Sequence, residues 1–137
     1  MSTIVYAREQ DLSPDDYIAV VGSTYMRERR PVANRKRIEA MLRGSNLIVS
    51  ARDEAGAIVG LARGISDAAW VCYLADVVVR EDQHGKGIGR GLMAACKRVL
   101  GPSIAVVLIA YPEAADFYRR IGMGEMTAFY FDREISG

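Results

Sequence analysis

Between Trp70 and Ala110 the sequence passes from a long apolar stretch through a glycine-punctuated turn into an amphipathic stretch, then into a second apolar run. Read as strand, turn, helix and strand, this is a crossover unit, and it commits the chain to a mixed α/β domain. The strand Trp70 to Val79 is interrupted by one acid, Asp76. The helix, Gly87 to Leu100, buries Ile88, Leu92, Met93 and Cys96 and ends at Gly101-Pro102. Ile104 to Ala110 is continuously apolar, which predicts a strand covered on both faces.

The flanking sequence supplies the rest of the sheet. Ile4, Val5 and Tyr6 make a short strand within Met1 to Arg8. Ser13-Pro14-Asp15-Asp16 is a helix start, with serine as N-cap, proline at the first helical position and acids in the first turn. A second helix spans Asn34 to Arg43 and stops at Gly44. Strands follow at Asn46 to Arg52 and Ala57 to Ser66, joined by the turn Asp53 to Gly56. Glu113 to Ile121 reads as a last short helix and Ala128 to Arg133 as a final strand.

A length of 137 residues suits one domain with a single core. Lys plus Arg total 18 against 17 Asp plus Glu, a net charge of +1 that offers no bulk field for nucleic acid or an anionic membrane. The basic run from Arg27 to Arg43 reads first as a solvated helix face. Cys72 and Cys96 lack neighbours at metal-ligand spacing and read as buried free thiols, so no metal is expected and a reducing cytoplasm is. No apolar run reaches the roughly 20 residues that span a bilayer.

The turn carries the chemistry. Val77-Val78-Val79 leads through Arg80 to Gln83 into His84-Gly85-Lys86-Gly87-Ile88-Gly89-Arg90-Gly91. Amides at a helix N-terminus point outward, and the helix dipole favours negative charge there. Glycines let the backbone approach a phosphate closely. Lys86 and Arg90 add charge, and the combination suits a diphosphate. Spacing excludes the G-x-G-x-x-G dinucleotide pattern. Counting on from Gly85 and Gly87 meets Arg90, counting from Gly87 and Gly89 meets Leu92, and about 20 residues on stands Ile109 rather than an acid. The Gly-Lys-Ser/Thr ending of a P-loop is missing too.

His84 to Gly89, behind Val77-Val78-Val79, resembles the Gln/Arg-x-x-Gly-x-Gly/Ala signature of the GNAT superfamily of N-acetyltransferases. His84 replaces the common Arg or Gln, which leaves the backbone cradle intact but not the side-chain contact. Ala114 to Met123 is similar to the family's late helix, Ala-x-x-Phe-Tyr-x-x-x-Gly-Phe, with Met123 in place of the aromatic. Tyr111 stands where many members carry Asn. The likeness runs from Leu47 to the C-terminus, and Val59 to Asp67 resembles the bacterial and chloroplast arylalkylamine (serotonin-type) branch.

The resemblance implies a single N-acetyltransferase domain over residues 1–137. Its fold class is α/β (α+β), with a mixed, mostly antiparallel sheet splayed at its central parallel strands and helices flanking it. It implies acetyl-CoA as cosubstrate, held by the main chain of Val77, Val78 and Val79 along the pantetheine arm. His84, Gly85, Lys86, Gly87, Ile88, Gly89 and Arg90 would hold the phosphates, and Tyr118 would lie near the sulfur. Tyr118 is the candidate to hydrogen-bond the leaving thiolate, with packing against Phe117 as the alternative. Asp76 is a candidate base or amine anchor, and equally a structural hydrogen-bonding aspartate, because a carboxylate of ordinary pKa ~3.9 is a weak base for an ammonium near ~10. The acceptor is a small-molecule or peptide amine entering past Tyr25, Arg30, Trp70 and Tyr73, although Trp70 and Tyr73 also suit a core or a dimer interface. A homodimer is compatible with this reading. A non-catalytic acyl-CoA-binding sensor is the alternative function.

Overall fold

Ser13 begins the first helix as its chemistry dictates: its hydroxyl accepts from the Asp16 amide, and Pro14 occupies the first helical position, where no amide bond is lost. In the computed structural model, which describes residues 3–135, this helix is α1, Pro14–Val21. A single 3₁₀ turn, Tyr25–Glu28, follows, capped by Thr24. Asn34 then caps α2, Arg35–Arg43. Met1 and Ser2, part of the expected first strand, lie outside the described residues.

The strands are β1 (Val5–Arg8), β2 (Leu47–Arg52), β3 (Ile58–Ser66), β4 (Val71–Val79) and β5 (Ala105–Leu108), in spatial order β1-β2-β3-β4-β5. The pairs from β1 to β4 are antiparallel, and α3 (Ile88–Leu100) is the crossover from β4 to β5, completing a mixed sheet. Gly56 turns the β2–β3 hairpin at φ +86, a conformation that glycine takes without a Cβ penalty.

Alternation along the strands sends side chains to two cores. On one face Tyr17, Val20 and Val21 of α1 and Ile38 and Leu42 of α2 pack with Ile48, Leu61 and Val78. On the other face lies α3. A Cβ added to Gly60 would stand 3.2 Å from Leu92 Cδ1 and 3.3 Å from Ile88 Cγ2, so the missing side chain is what lets α3 lie close to the sheet. The β3–β4 register shifts once. Arg63 pairs with Asp76 but Gly64 pairs with Leu74, so Ala75 is the extra residue of a β-bulge. The bulge inverts the facing of β4. Leu74 and Cys72 approach Gly64 on the α3 side, whereas Asp76 and Val78 turn to the α1 side.

Two expectations for the C-terminal part are corrected. The strand expected over Ile104 to Ala110 covers only Ala105–Leu108, with Ala105 and Val107 exposed, because it is the last strand in the sheet rather than a covered central one. No strand forms over Ala128 to Arg133, and Phe129, Tyr130 and Phe131 are exposed. Strand-forming side chains alone do not make a strand; the backbone needs a ladder partner. The chain divides into two compact units, Met1–Val107 and Leu108–Gly137. The second holds α4, Pro112–Arg120, and no residue between 108 and 135 is buried.

Candidate functional site

The turn after β4 is shaped by its glycines. A short 3₁₀ turn, Glu81–Gln83, leads to Gly85 at φ +81 and Gly87 at φ +80, and Gly87 is the N-cap of α3. At both glycines an added Cβ would meet nothing within 4 Å, so it is the left-handed backbone and not crowding that requires glycine. The Gln83 and His84 amides donate to Arg80 and Glu81 carbonyls, and the Gly91 amide donates to Gly87. Between them, the amides of Gly85, Lys86, Gly87, Ile88, Gly89 and Arg90 donate to no acceptor among the described residues. Ile88 is buried and pins this first helical turn to the sheet.

Side chains around the turn are arranged differently from their backbone. The His84 ring turns back, with Nε2 2.9 Å from the Val79 carbonyl oxygen. A carbonyl only accepts, so Nε2 carries the proton and His84 caps the end of β4. Lys86 Nζ donates to Gln83 Oε1 at 3.1 Å, and Arg90 is exposed. Arg80 Nε is buried with no partner among the described residues, while its Nη2 reaches Asp82 at 3.1 Å. This donor set fits a diphosphate: a run of unused amides at the positive end of a helix, two lysine or arginine side chains and an orphaned guanidinium nitrogen.

The β4 backbone continues the site. The Arg80 amide donates to the Val59 carbonyl, which sets the hydrogen-bonding phase of the β3–β4 ladder. Antiparallel pairs alternate, so with Val79 opposite Gly60 and Val77 opposite Ala62, Val77 and Val79 direct their N–H and C=O groups away from β3. Val78, between them, buries its side chain in the α1 core.

Asp76 is buried, and neither of its carboxylate oxygens is idle. Oδ1 accepts from Arg30 Nε at 2.7 Å, and Oδ2 accepts from Arg63 Nε at 2.6 Å and from the Tyr17 hydroxyl at 2.8 Å. These contacts are those of a structural hydrogen-bonding aspartate, the alternative to a base or an amine anchor. Burial and the neighbouring carboxylate push the Tyr17 phenol well above its usual range, which keeps it a neutral donor. Arg30 Nη2 also donates to the carbonyl of Ala75, the extra residue of the bulge, at 2.8 Å.

Sequence reasoning placed Arg30 at the entrance and missed Tyr17 and Arg63. A charged residue inside the apolar run Ile58 to Ser66 was the available signal for Arg63. Counting an unbulged hairpin back from the Ser66–Cys72 pair, however, puts Ala75 opposite Arg63 instead of Asp76. Trp70, Tyr73 and Tyr25 are exposed rather than core residues, and the Arg29 guanidinium lies 5.0 Å from the Tyr25 ring centroid. Tyr118 belongs to the second unit, half-buried on α4 and edge-to-face with Phe117 at 5.0 Å. Cys96 is buried and its thiol is pushed up to about 12 by desolvation, so it is no nucleophile. No group of histidine, cysteine and acidic side chains that could hold a metal occurs among the described residues.

The fold and turn define a class first: an α/β domain whose crossover helix opens on a glycine turn with unused donors. The family described as Acetyltransferase (GNAT) domain matches residues 11–135, and the chain belongs to that family. An uncharacterized N-acetyltransferase, ycf52 of Porphyra purpurea, is 31% identical over 99 residues, which is 69% of this chain and 55% of that protein. The chain thus spans about half the length of the curated relatives it matches. Among solved structures, protein SA2161 from methicillin-resistant Staphylococcus aureus superposes with a TM-score of 0.78 at 20% identity, covering 96% of this chain and 100% of that one. The aminoglycoside N-acetyltransferase AAC(6')-Iy in complex with CoA gives 0.72 at 15% identity, covering 98% and 96%. At these identities the likeness is one of fold.

Proposed function

We propose that the protein transfers an acetyl group from acetyl-CoA to a primary amine by direct attack, its two units acting as one acetyltransferase domain. The observation that carries this reading is the run of unused amides from Gly85 to Arg90, in a chain of the GNAT family. Those amides, with Lys86 and Arg90, hold the pyrophosphate. Val77 and Val79 pair with the pantetheine arm along the edge that β4 turns away from β3, in a cleft between β4 and β5. The Val77 amide donates to the thioester carbonyl oxygen, a bond that strengthens as charge gathers there. The amine nitrogen bonds to the carbonyl carbon, the carbon–sulfur bond breaks, and the products are an amide and CoA thiol. The proton lost by nitrogen leaves through water, since Asp76 is engaged. Tyr118 hydrogen-bonds the departing thiolate.

The acceptor is a small-molecule or peptide amine; nucleic acid and membrane are not partners in this reading. No helix among the described residues is long and apolar enough to cross a membrane. Buried free thiols at Cys72 and Cys96 suit a reducing compartment, and we place the protein in the cytoplasm. A homodimer belongs to the same reading, with Phe129, Tyr130 and Phe131 as the apolar side chains it would cover.

The test is release of free thiol from acetyl-CoA across a panel of arylalkylamines, polyamines, aminoglycosides, amino acids and lysine peptides, beside calorimetry with acetyl-CoA. Binding together with amine-dependent thiol release is expected. The engagement of Asp76 gives weight to the second reading, an acyl-CoA-binding sensor. Binding without thiol release above the hydrolysis blank would establish it, and no binding would end both. Tyr118→Phe is expected to lower kcat about ten-fold or more with acetyl-CoA affinity unchanged; equal losses in both would mean packing.

A further inference from the structure

The bulge in β4 is held by side chains that the transfer reaction itself does not use. A bulge adds one residue to a strand, leaves that residue without a partner residue and locally disrupts the ladder. At Ala75, the extra residue, the carbonyl accepts from Arg30 Nη2 at 2.8 Å. The same guanidinium places Nε on Asp76 Oδ1 at 2.7 Å, so one planar fork spans two consecutive residues of the strand. Arg63, across the ladder, takes Asp76 Oδ2 at 2.6 Å and is itself steadied by its Nη1 donating to Ser45 Oγ at 3.2 Å. Tyr17 reaches the same oxygen from α1 at 2.8 Å.

These contacts converge on the residue between two peptide planes. The Ala75 carbonyl belongs to the plane that precedes Asp76, and the Val77 amide belongs to the plane that follows it. With the Ala75 carbonyl and the Asp76 side chain both held, the Asp76 Cα from which the second plane springs is held from two sides. The ladder phase directs the Val77 N–H away from β3, toward the edge where the thioester is placed by the reading above. Resting on that reading, we propose that Arg30, Arg63 and Tyr17 act through Asp76 and Ala75 as a clamp. The clamp sets the bulge and so aims the Val77 amide at the oxygen that becomes negative during acyl transfer. They are positioning residues. An ordinary bulge needs no such apparatus. A buried aspartate gripped by two arginines and a tyrosine makes sense where a displacement of a fraction of an ångström matters.

The obvious variant, Asp76→Asn, leaves two arginines short of a carboxylate and risks unfolding the protein. Arg30→Ala is the working variant, because the Arg30 side chain is 17% exposed and its site opens toward solvent. Its kcat is expected to fall about 10- to 100-fold, with the calorimetric Kd for acetyl-CoA within about two-fold of wild type, as for a misaimed donor. Guanidinium at low millimolar concentration should restore part of kcat in Arg30→Ala and none in wild type. Arg30→Lys, which cannot span both acceptors at once, should lie between the two. A second readout needs no turnover. Hydrogen exchange of the Asp76 amide, which the ladder phase directs to β3 opposite Arg63, should quicken at least about ten-fold more in Arg30→Ala than that of the Ile48 amide on β2. Unchanged kcat, or kcat and acetyl-CoA affinity falling together with the folded fraction, overturns the clamp. If wild type binds acetyl-CoA but releases no thiol, the transfer reading fails instead, and the Asp76 exchange ratio still decides whether the clamp holds the bulge.

Discussion

His84 shows how far a motif position can mislead about a side chain. By pattern it stands among phosphate contacts, yet its ring closes on the Val79 carbonyl, and the backbone around it carries the donors. Glu9, unlike His84, has its partners far off in sequence. Its carboxylate accepts from Arg52 at 3.0 and 2.7 Å and from Ser50 at 2.6 Å, and the Arg52 hydrogen bonds hold it below the ordinary carboxylate range. A carboxyl depressed in the folded state adds stability above its unfolded pKa and loses it as pH falls through the folded value. Wild type is therefore expected to lose urea stability more steeply than Glu9→Gln as pH drops from 5 to about 3. Parallel slopes in the two proteins would show that Arg52 does not hold the carboxylate in solution.

At the scale of elements, the start of α3 is the decisive piece. Gly60 lets the helix approach β3, Ile88 anchors its first turn, and Gly87 bends the chain so that the amides before it face outward. An alanine at Gly87 meets no neighbour, so its whole effect is the left-handed backbone, about 1 to 2 kcal/mol. Gly87→Ala is expected to lower stability by about that amount and to weaken acetyl-CoA binding by about ten-fold or more, because the turn relaxes away from φ +80. Chemical denaturation and calorimetry read the two effects separately. Stability lost without affinity would detach this turn from the cosubstrate. Elements with local signals were legible in sequence: Ser13 and Asn34 named two helix starts, and the glycine turn named a third. The bulge at Ala75 was not, because nothing local distinguishes an extra residue in a run of strand-forming side chains.

For the whole molecule, the C-terminal unit poses a problem of burial. Met126, Phe129, Tyr130, Phe131 and Ile135 are at least 80% exposed, and α4 buries no residue. The homodimer proposed above is tested at this scale. Light scattering after gel filtration is expected to give a dimer for wild type and a monomer for the double variant Phe129→Ser, Phe131→Ser. A monomeric wild type at high micromolar concentration would exclude it.

Local chemistry was enough for the sequence to determine the crossover, the caps and the glycine turn, because each is set by residues within a few positions of one another. That is also why the family was readable. The tertiary structure decided what depends on register and partners: Asp76 as an anchor shared by Tyr17, Arg30 and Arg63, the His84 ring on Val79, and the fate of the last expected strand. A one-residue shift in β4 exchanges the faces of every side chain beyond it, and no composition or spacing along the chain records where that shift falls.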